Sequence, residues 1–131
     1  MPTLNYNIRT QLQNVALREL SSYHAHSKPF LTKISALLFD NSVSNETCIE
    51  QFREYFITLV DFNFGRTIAT IYSKKPFEVL AEKINNFTQA VLLAQTFFEE
   101  FSLDVSVLEK TVDTYKSSLE KSLKKYHLND F

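Results

Sequence analysis

Apolar residues recur along this chain every three to five positions with polar residues between them, and no alternating run is long enough to suggest a strand. Leu4, Ile8, Leu12, Val15, Leu20 and Tyr23 predict a first helix over about residues 4–23, with Thr3 able to cap it. Ser21, Ser22, His24, His26 and Ser27 mark a connection, and Pro29 then suits the first turn of a short helix ending at Phe39. Residues 40–45 carry loop chemistry. Cys48, Ile49, Phe52, Tyr55, Phe56, Leu59 and Val60 form the cleanest stripe, predicting an amphipathic helix that ends just before residues 61–66.

A central helix is expected from near Phe64, which Pro76 either kinks or ends to begin a further helix through Ile84; a break around Ser73-Lys74-Lys75 is the favoured reading. Asn86, with Gln89 three residues on, resembles a capping box. The helix it would open carries Phe87, Ala90, Val91, Leu93, Ala94, Phe97, Phe98 and Phe101, apolar almost all round, so burial or a partner is expected. Ser102 or Asp104 would cap a last helix to about Tyr126, with Val105, Leu108, Val112, Tyr115, Leu119 and Leu123 on one face and Lys121, Lys124 and Lys125 in its final turns. The chain is therefore expected to be all-α, with Phe64, Ile68, Ile71, Leu93 and Phe97 largely buried.

With 131 residues, 44% of them hydrophobic and 12 of them Phe, one domain over residues 1–131 can bury a full core. A formal net charge of -1 with both signs interspersed offers no footprint for nucleic acid or an anionic membrane. The lone Cys48 cannot close an internal disulfide, and the N-terminus lacks the basic and apolar regions of a signal peptide, so a reducing, intracellular setting is expected. The glycosylation sequons at Asn45 and Asn86 both fall where Asn is expected as a helix cap. No stretch reaches the length of a membrane span, and the end of the chain is polar.

Catalytic chemistry finds no support. His24 and His26 flank Ala25 without a carboxylate or cysteine at ligand spacing, so no metal or other cofactor is expected. No phosphate loop, nucleophile elbow or His-Glu-x-x-His pattern occurs. Cys48 lies in an apolar stripe and reads as a small core residue.

The one glycine of the chain is Gly65, where average usage would supply roughly nine. Asn63 is a good N-cap, Phe64 can anchor a first turn, Gly65 lets another backbone approach, and the Arg66 fork suits a carboxylate. An ordinary surface Arg66 paired with Asp61 is the plain alternative. Asn63-Phe64-Gly65-Arg66 closely resembles the Asn-Trp-Gly-Arg signature of the B-cell lymphoma 2 family of apoptosis regulators, with Phe in place of Trp. An amphipathic segment leads in and an apolar one leaves, as in that family.

The resemblance implies a helical bundle with a buried central hairpin surrounded by amphipathic helices. It implies that Arg66 pairs with the Asp of a BH-three helix from a pro-apoptotic protein, Bim-type or Bak- or Bax-type, while Asn63 supports that acid and Gly65 permits close packing. Ala69 would lie on the groove floor, and Phe52, Phe56 and Leu59 on its wall, where the stripe also reads as ordinary core. The implied function is inhibition of host apoptosis by sequestering such helices. The alternative is a protein of the same fold that blocks another host signalling pathway through a different face or by dimerising; a homodimer covering an open groove is also expected.

The segment Phe30–Asp40 lacks the small residue that precedes the Asp in the family's third motif, and without Trp its second motif is unrecognisable. Such erosion resembles a viral member from large DNA viruses. Without an anchor, the expected location is the host cytoplasm, peripheral to mitochondria through partners.

Overall fold

The computed structural model describes residues 2–21 and 28–126, with side chains from residue 8 onward. Every regular element among the described residues is a helix, and none is a strand: α1 (Pro2–Leu20), α2 (Lys28–Ala36) followed by a 3-10 turn (Leu37–Phe39), α3 (Asn45–Tyr72), α4 (Phe77–Glu100) and α5 (Ser106–Tyr126). No helix among them is long and apolar enough to cross a membrane. His24, His26 and the tail beyond Tyr126 lie outside the described residues.

Contacts gather into two compact units, Met1–Tyr55 and Phe56–Phe131, with the division inside α3. In the first unit Leu12, Val15, Ala16, Leu31, Ile34, Leu38, Cys48 and Phe52 are buried. Arg9 fastens α1 to the 37–45 segment. Its guanidinium donates to the Leu38 carbonyl at 2.9 Å, the Leu37 carbonyl at 3.2 Å, the Asp40 carbonyl at 3.3 Å, Asn45 Oδ1 at 2.9 Å and the Val43 carbonyl. Such a fork satisfies carbonyls that a loop would otherwise leave to water. Asp40 Oδ1 accepts from the Ser42 amide and hydroxyl, and these bonds hold its carboxyl below the usual range. Cys48 is core, as its stripe implied, and burial pushes its thiol pKa up.

Glu19 is 2% exposed and accepts a hydrogen bond from the Tyr55 hydroxyl at 3.1 Å, with Arg18 Nε 4.0 Å away. Burial raises its pKa above the ordinary 4.5, and the Tyr55 bond and the Arg18 charge offset this only in part. A raised folded-state pKa contributes stability that is complete below the unfolded value and is lost as pH climbs through the folded one. Glu19→Gln keeps an acceptor for Tyr55 and removes this titration. Thermal melts from pH 4.5 upward should show the wild type losing stability relative to the variant; a constant difference across that range would refute it.

Several helix boundaries differ from those expected. The N-cap of α3 is Ser44, whose Oγ accepts the Thr47 amide at 3.1 Å, so Asn45 is the first helical residue and holds Arg9 instead. Two helices were expected between 48 and 72, yet α3 runs unbroken through residues 61–66. A mid-helix glycine costs about 1 kcal/mol, too little to stop a helix whose turns on either side bury Asn63, Thr67, Thr70 and Ile71. Asn86 opens nothing either: α4 is continuous from Phe77, directly after Pro76. The break near 73–75 is where the pattern placed it, and Asp104 caps α5 through Oδ1, which accepts the Ser106 amide at 3.0 Å.

Helices α3 and α4 end alike. Lys74 and Ser102 take left-handed conformations with φ 51 and φ 55. The Lys74 and Lys75 amides return to the Ile71 and Thr70 carbonyls, and those of Ser102 and Leu103 to Glu99 and Phe98, closing a Schellman motif at each end. Glycine favours such positions, and this chain fills both with other residues.

In the second unit Phe56, Leu59, Val60, Ile71, Leu80, Phe87, Ala90, Val91, Ala94, Phe97, Phe98, Leu108, Val112 and Leu119 are buried. Of the five residues expected inside, Ile71 and Phe97 are fully buried, whereas Phe64, Ile68 and Leu93 are half-buried. Phe64 spends its ring on Tyr115 of α5, stacked at 4.0 Å between centroids with the planes 8° apart.

Candidate functional site

Residues 61–72 of α3 divide cleanly into an inner and an outer face. Asn63, Thr67, Thr70 and Ile71 are buried, while Asp61, Phe62, Gly65, Arg66, Ala69 and Tyr72 are exposed. The outer set recurs at spacings of three and four and occupies about three turns of one helix face. The inner face is polar yet satisfied. Asn63 Nδ2 donates to the Leu59 carbonyl at 2.8 Å, Thr67 Oγ1 donates to the Asn63 carbonyl at 2.8 Å, and the same hydroxyl lies 3.2 Å from the Lys83 carbonyl of α4. Among the described residues no buried side-chain nitrogen or oxygen lacks a partner.

Asn63 is therefore neither an N-cap nor turned outward, a correction to the cap expected from its residue type. Gly65 has nothing within 4 Å of the position a Cβ would take, and its φ is not positive. Its bareness serves neither the backbone nor packing among the described residues. Gly65→Ala should raise stability by about 0.5–1 kcal/mol, the helix-propensity difference, readable in chemical denaturation; a loss of stability would show that the chain itself needs the glycine.

Arg66 lies over the Phe62 ring at 5.6 Å from its centroid. The expected alternative partner, Asp61, is engaged elsewhere: Tyr115 donates its hydroxyl to Asp61 Oδ1, and that bond, with burial next, pushes the tyrosine pKa up to about 12. Among the described residues no carboxylate pairs with Arg66. A cation resting on a ring is held by about 0.5–1 kcal/mol at an exposed site, so the guanidinium keeps its donors for an incoming acceptor. Ala69 is exposed one turn further on.

Phe52, Phe56 and Leu59 are each 0% exposed. The core reading of that stripe holds, and in this conformation none of the three offers a groove wall. Phe56 instead packs its ring on Phe97 at 4.8 Å. Two residues that pattern reasoning passed over, Phe62 and Tyr72, are exposed aromatics on the same outer face, at 38% and 54%; Phe62 lies under Arg66, and Tyr72 stands edge-on to Tyr126 of α5 at 4.7 Å between centroids. The signal was present: both fall one turn from Gly65 or Ala69, off the apolar stripe. Tyr115, assigned only to the inner face of the last helix, was passed over for its hydroxyl.

Among the described residues no group of three or more His, Cys, Asp or Glu side chains has the geometry to hold a metal ion. Comparison with known proteins returns no matching family model, no matching curated protein and no matching solved structure.

Proposed function

We propose that the chain is a helix-binding protein, and that an amphipathic helix carrying an acidic residue docks on the outer face of α3 with its acid against Arg66. The observation that carries this reading is Gly65. It stands alone in the chain, exposed in mid-helix, with open space at its Cβ position. Two left-handed positions that would favour glycine hold Lys74 and Ser102 instead. Close approach by another backbone is the remaining physical use of a residue that costs helix stability. Arg66 supplies the charge, Phe62 and Tyr72 apolar contact, and Ala69 a second small step one turn on.

The resemblance of Asn63-Phe64-Gly65-Arg66 to the B-cell lymphoma 2 signature extends the proposal to a specific ligand and role. The docked helix is the BH-three segment of a pro-apoptotic protein, and its capture inhibits apoptosis of a host cell. The contact surface then comprises Phe62, Gly65, Arg66, Ala69 and Tyr72, since Phe52, Phe56 and Leu59 stay in the core and the buried Asn63 gives its amide to the Leu59 carbonyl instead of to a ligand's acid. Recognition of an amphipathic helix on such a face draws affinity from apolar anchors and register from one charged contact. Calorimetric titration of BH-three peptides into the protein tests it. Saturable binding that weakens on Arg66→Ala supports the reading, and absence of binding by every peptide removes it.

A further inference from the structure

The outer face of α3 also has the charge pattern of a surface that fits itself. Setting Phe62 and Ala69 at one seam position and Gly65 and Tyr72 at the other places Asp61 on one flank of the seam and Arg66 on the opposite flank, five residues on. When two such helices lie side by side and parallel, each flank of one faces the opposite flank of the other at that offset. Asp61 then meets Arg66 twice, once in each direction. An antiparallel pair would set like flanks together, Asp61 by Asp61 and Arg66 by Arg66. We propose that two copies of the chain pair through this face of α3, parallel and in register, with Asp61 of each copy bound to Arg66 of the other.

Exposure, free space and charge on this face favour each part of the contact. Asp61, Phe62, Gly65, Arg66, Ala69 and Tyr72 are all exposed, and Tyr72 keeps half its surface in solvent while standing edge-on to Tyr126 of the same chain. Gly65 has free space at its Cβ position, and with Ala69 one turn away the two helix backbones can come close while the Phe62 and Tyr72 rings pack above and below the crossing. Asp61 receives the Tyr115 hydroxyl at Oδ1 and retains Oδ2 for a guanidinium. Arg66 has no carboxylate among the described residues to compete for it. Three turns of helix make a small interface, of the class that forms weak, exchanging complexes. The pairing occupies the face proposed for helix docking but stands on the chain's own charges, whatever that face binds otherwise.

Sedimentation of the protein alone, with no peptide present, tests the pairing independently of helix docking. The wild type should pass from monomer to dimer as its concentration rises to about 1 mM, the weak end of the affinity scale. Asp61→Arg and Arg66→Asp should each weaken the dimer at least about tenfold, because both ion pairs become like-charge contacts. An equimolar mixture of these two variants should pair again, since every flank contact is then Arg with Asp. Ala69→Cys tests the orientation and leaves both charges in place. In a parallel pair the two cysteines face each other and oxidise to a disulfide-linked dimer, whereas an antiparallel pair centred on Gly65 holds them about 12 Å apart along the helices. A wild type that stays monomeric throughout, charge variants that pair as the wild type does, a mixture that fails to recover, or no cross-link at residue 69 would each overturn the proposal.

Discussion

Arg66→Ala is expected to weaken binding of a BH-three peptide by about 10- to 150-fold. The peptide's Asp would meet the Arg66 guanidinium at an interface shielded by Phe62 and by the docked helix itself, where a hydrogen bond to a charged group is worth on the order of 1.5–3 kcal/mol; tenfold in affinity corresponds to about 1.4 kcal/mol. The variant should stay folded, because Arg66 is exposed, its guanidinium rests on the Phe62 ring, and the Thr70 hydroxyl bonds its backbone carbonyl, which the substitution keeps. Replacing the peptide Asp with Ala should cost a similar amount, and the two changes together clearly less than their sum, since both remove the same contact. Titrating the four combinations decides the matter. Additive losses, or binding indifferent to Arg66, would take this residue out of the site.

Phe97→Ala should be the most damaging single change to stability. The side chain is fully buried, packed on Phe56 and Phe101 with centroids 4.8 Å away in each case and edge-on to Phe98 at 6.4 Å. Truncating a buried Phe costs about 3–5 kcal/mol in lost transfer energy and cavity formation, against a total stability of about 5–15 kcal/mol for an ordinary domain. Urea denaturation should show the midpoint falling accordingly, and at the upper end of the range the variant would be largely unfolded. Phe64→Ala makes the contrast. That ring is half-buried and stacked on Tyr115, so its loss should cost well under the Phe97 value. Equal costs would mean that the aromatic cluster around Phe97 is not the centre of the second unit's core.

The helical class, the stripe from Cys48 to Val60 and the break at 73–75 were legible because each depends on neighbours in sequence. Apolar spacing reports which residues share a helix face, and Pro76 forbids a continuous helix through the turn before it. Boundaries resting on a single favourable cap were less secure. Asn63 and Asn86 both look like helix starts, and a cap is worth about 1 kcal/mol. Running α3 and α4 through those positions lets Thr67 and Thr70, and Phe87 and Ala90, enter the interior, and burying one large apolar side chain already exceeds a cap in energy. At Lys74 and Ser102 the chain ends helices with backbone hydrogen bonds that no residue-type rule signals.

The candidate site divides in the same way. Gly65 and Arg66 stood out by scarcity and charge, properties of the residues themselves. Whether Phe52, Phe56 and Leu59 or Phe62 and Tyr72 flank them could not be read from periodicity, because a stripe records its own spacing and not which neighbour covers it. Burial is a property of the packed molecule. The partner of Asp61 shows this most directly: in sequence its nearest cation is Arg66, five residues on, yet folding brings in the Tyr115 hydroxyl from 54 positions away and leaves Arg66 resting on Phe62. Local chemistry thus settled the chain's helical character and marked the unusual residues. The contacts that hold Asp61 to Tyr115 and join Thr67 to the Lys83 carbonyl arise between segments remote in sequence, where the energy of packing exceeds any preference a short motif carries.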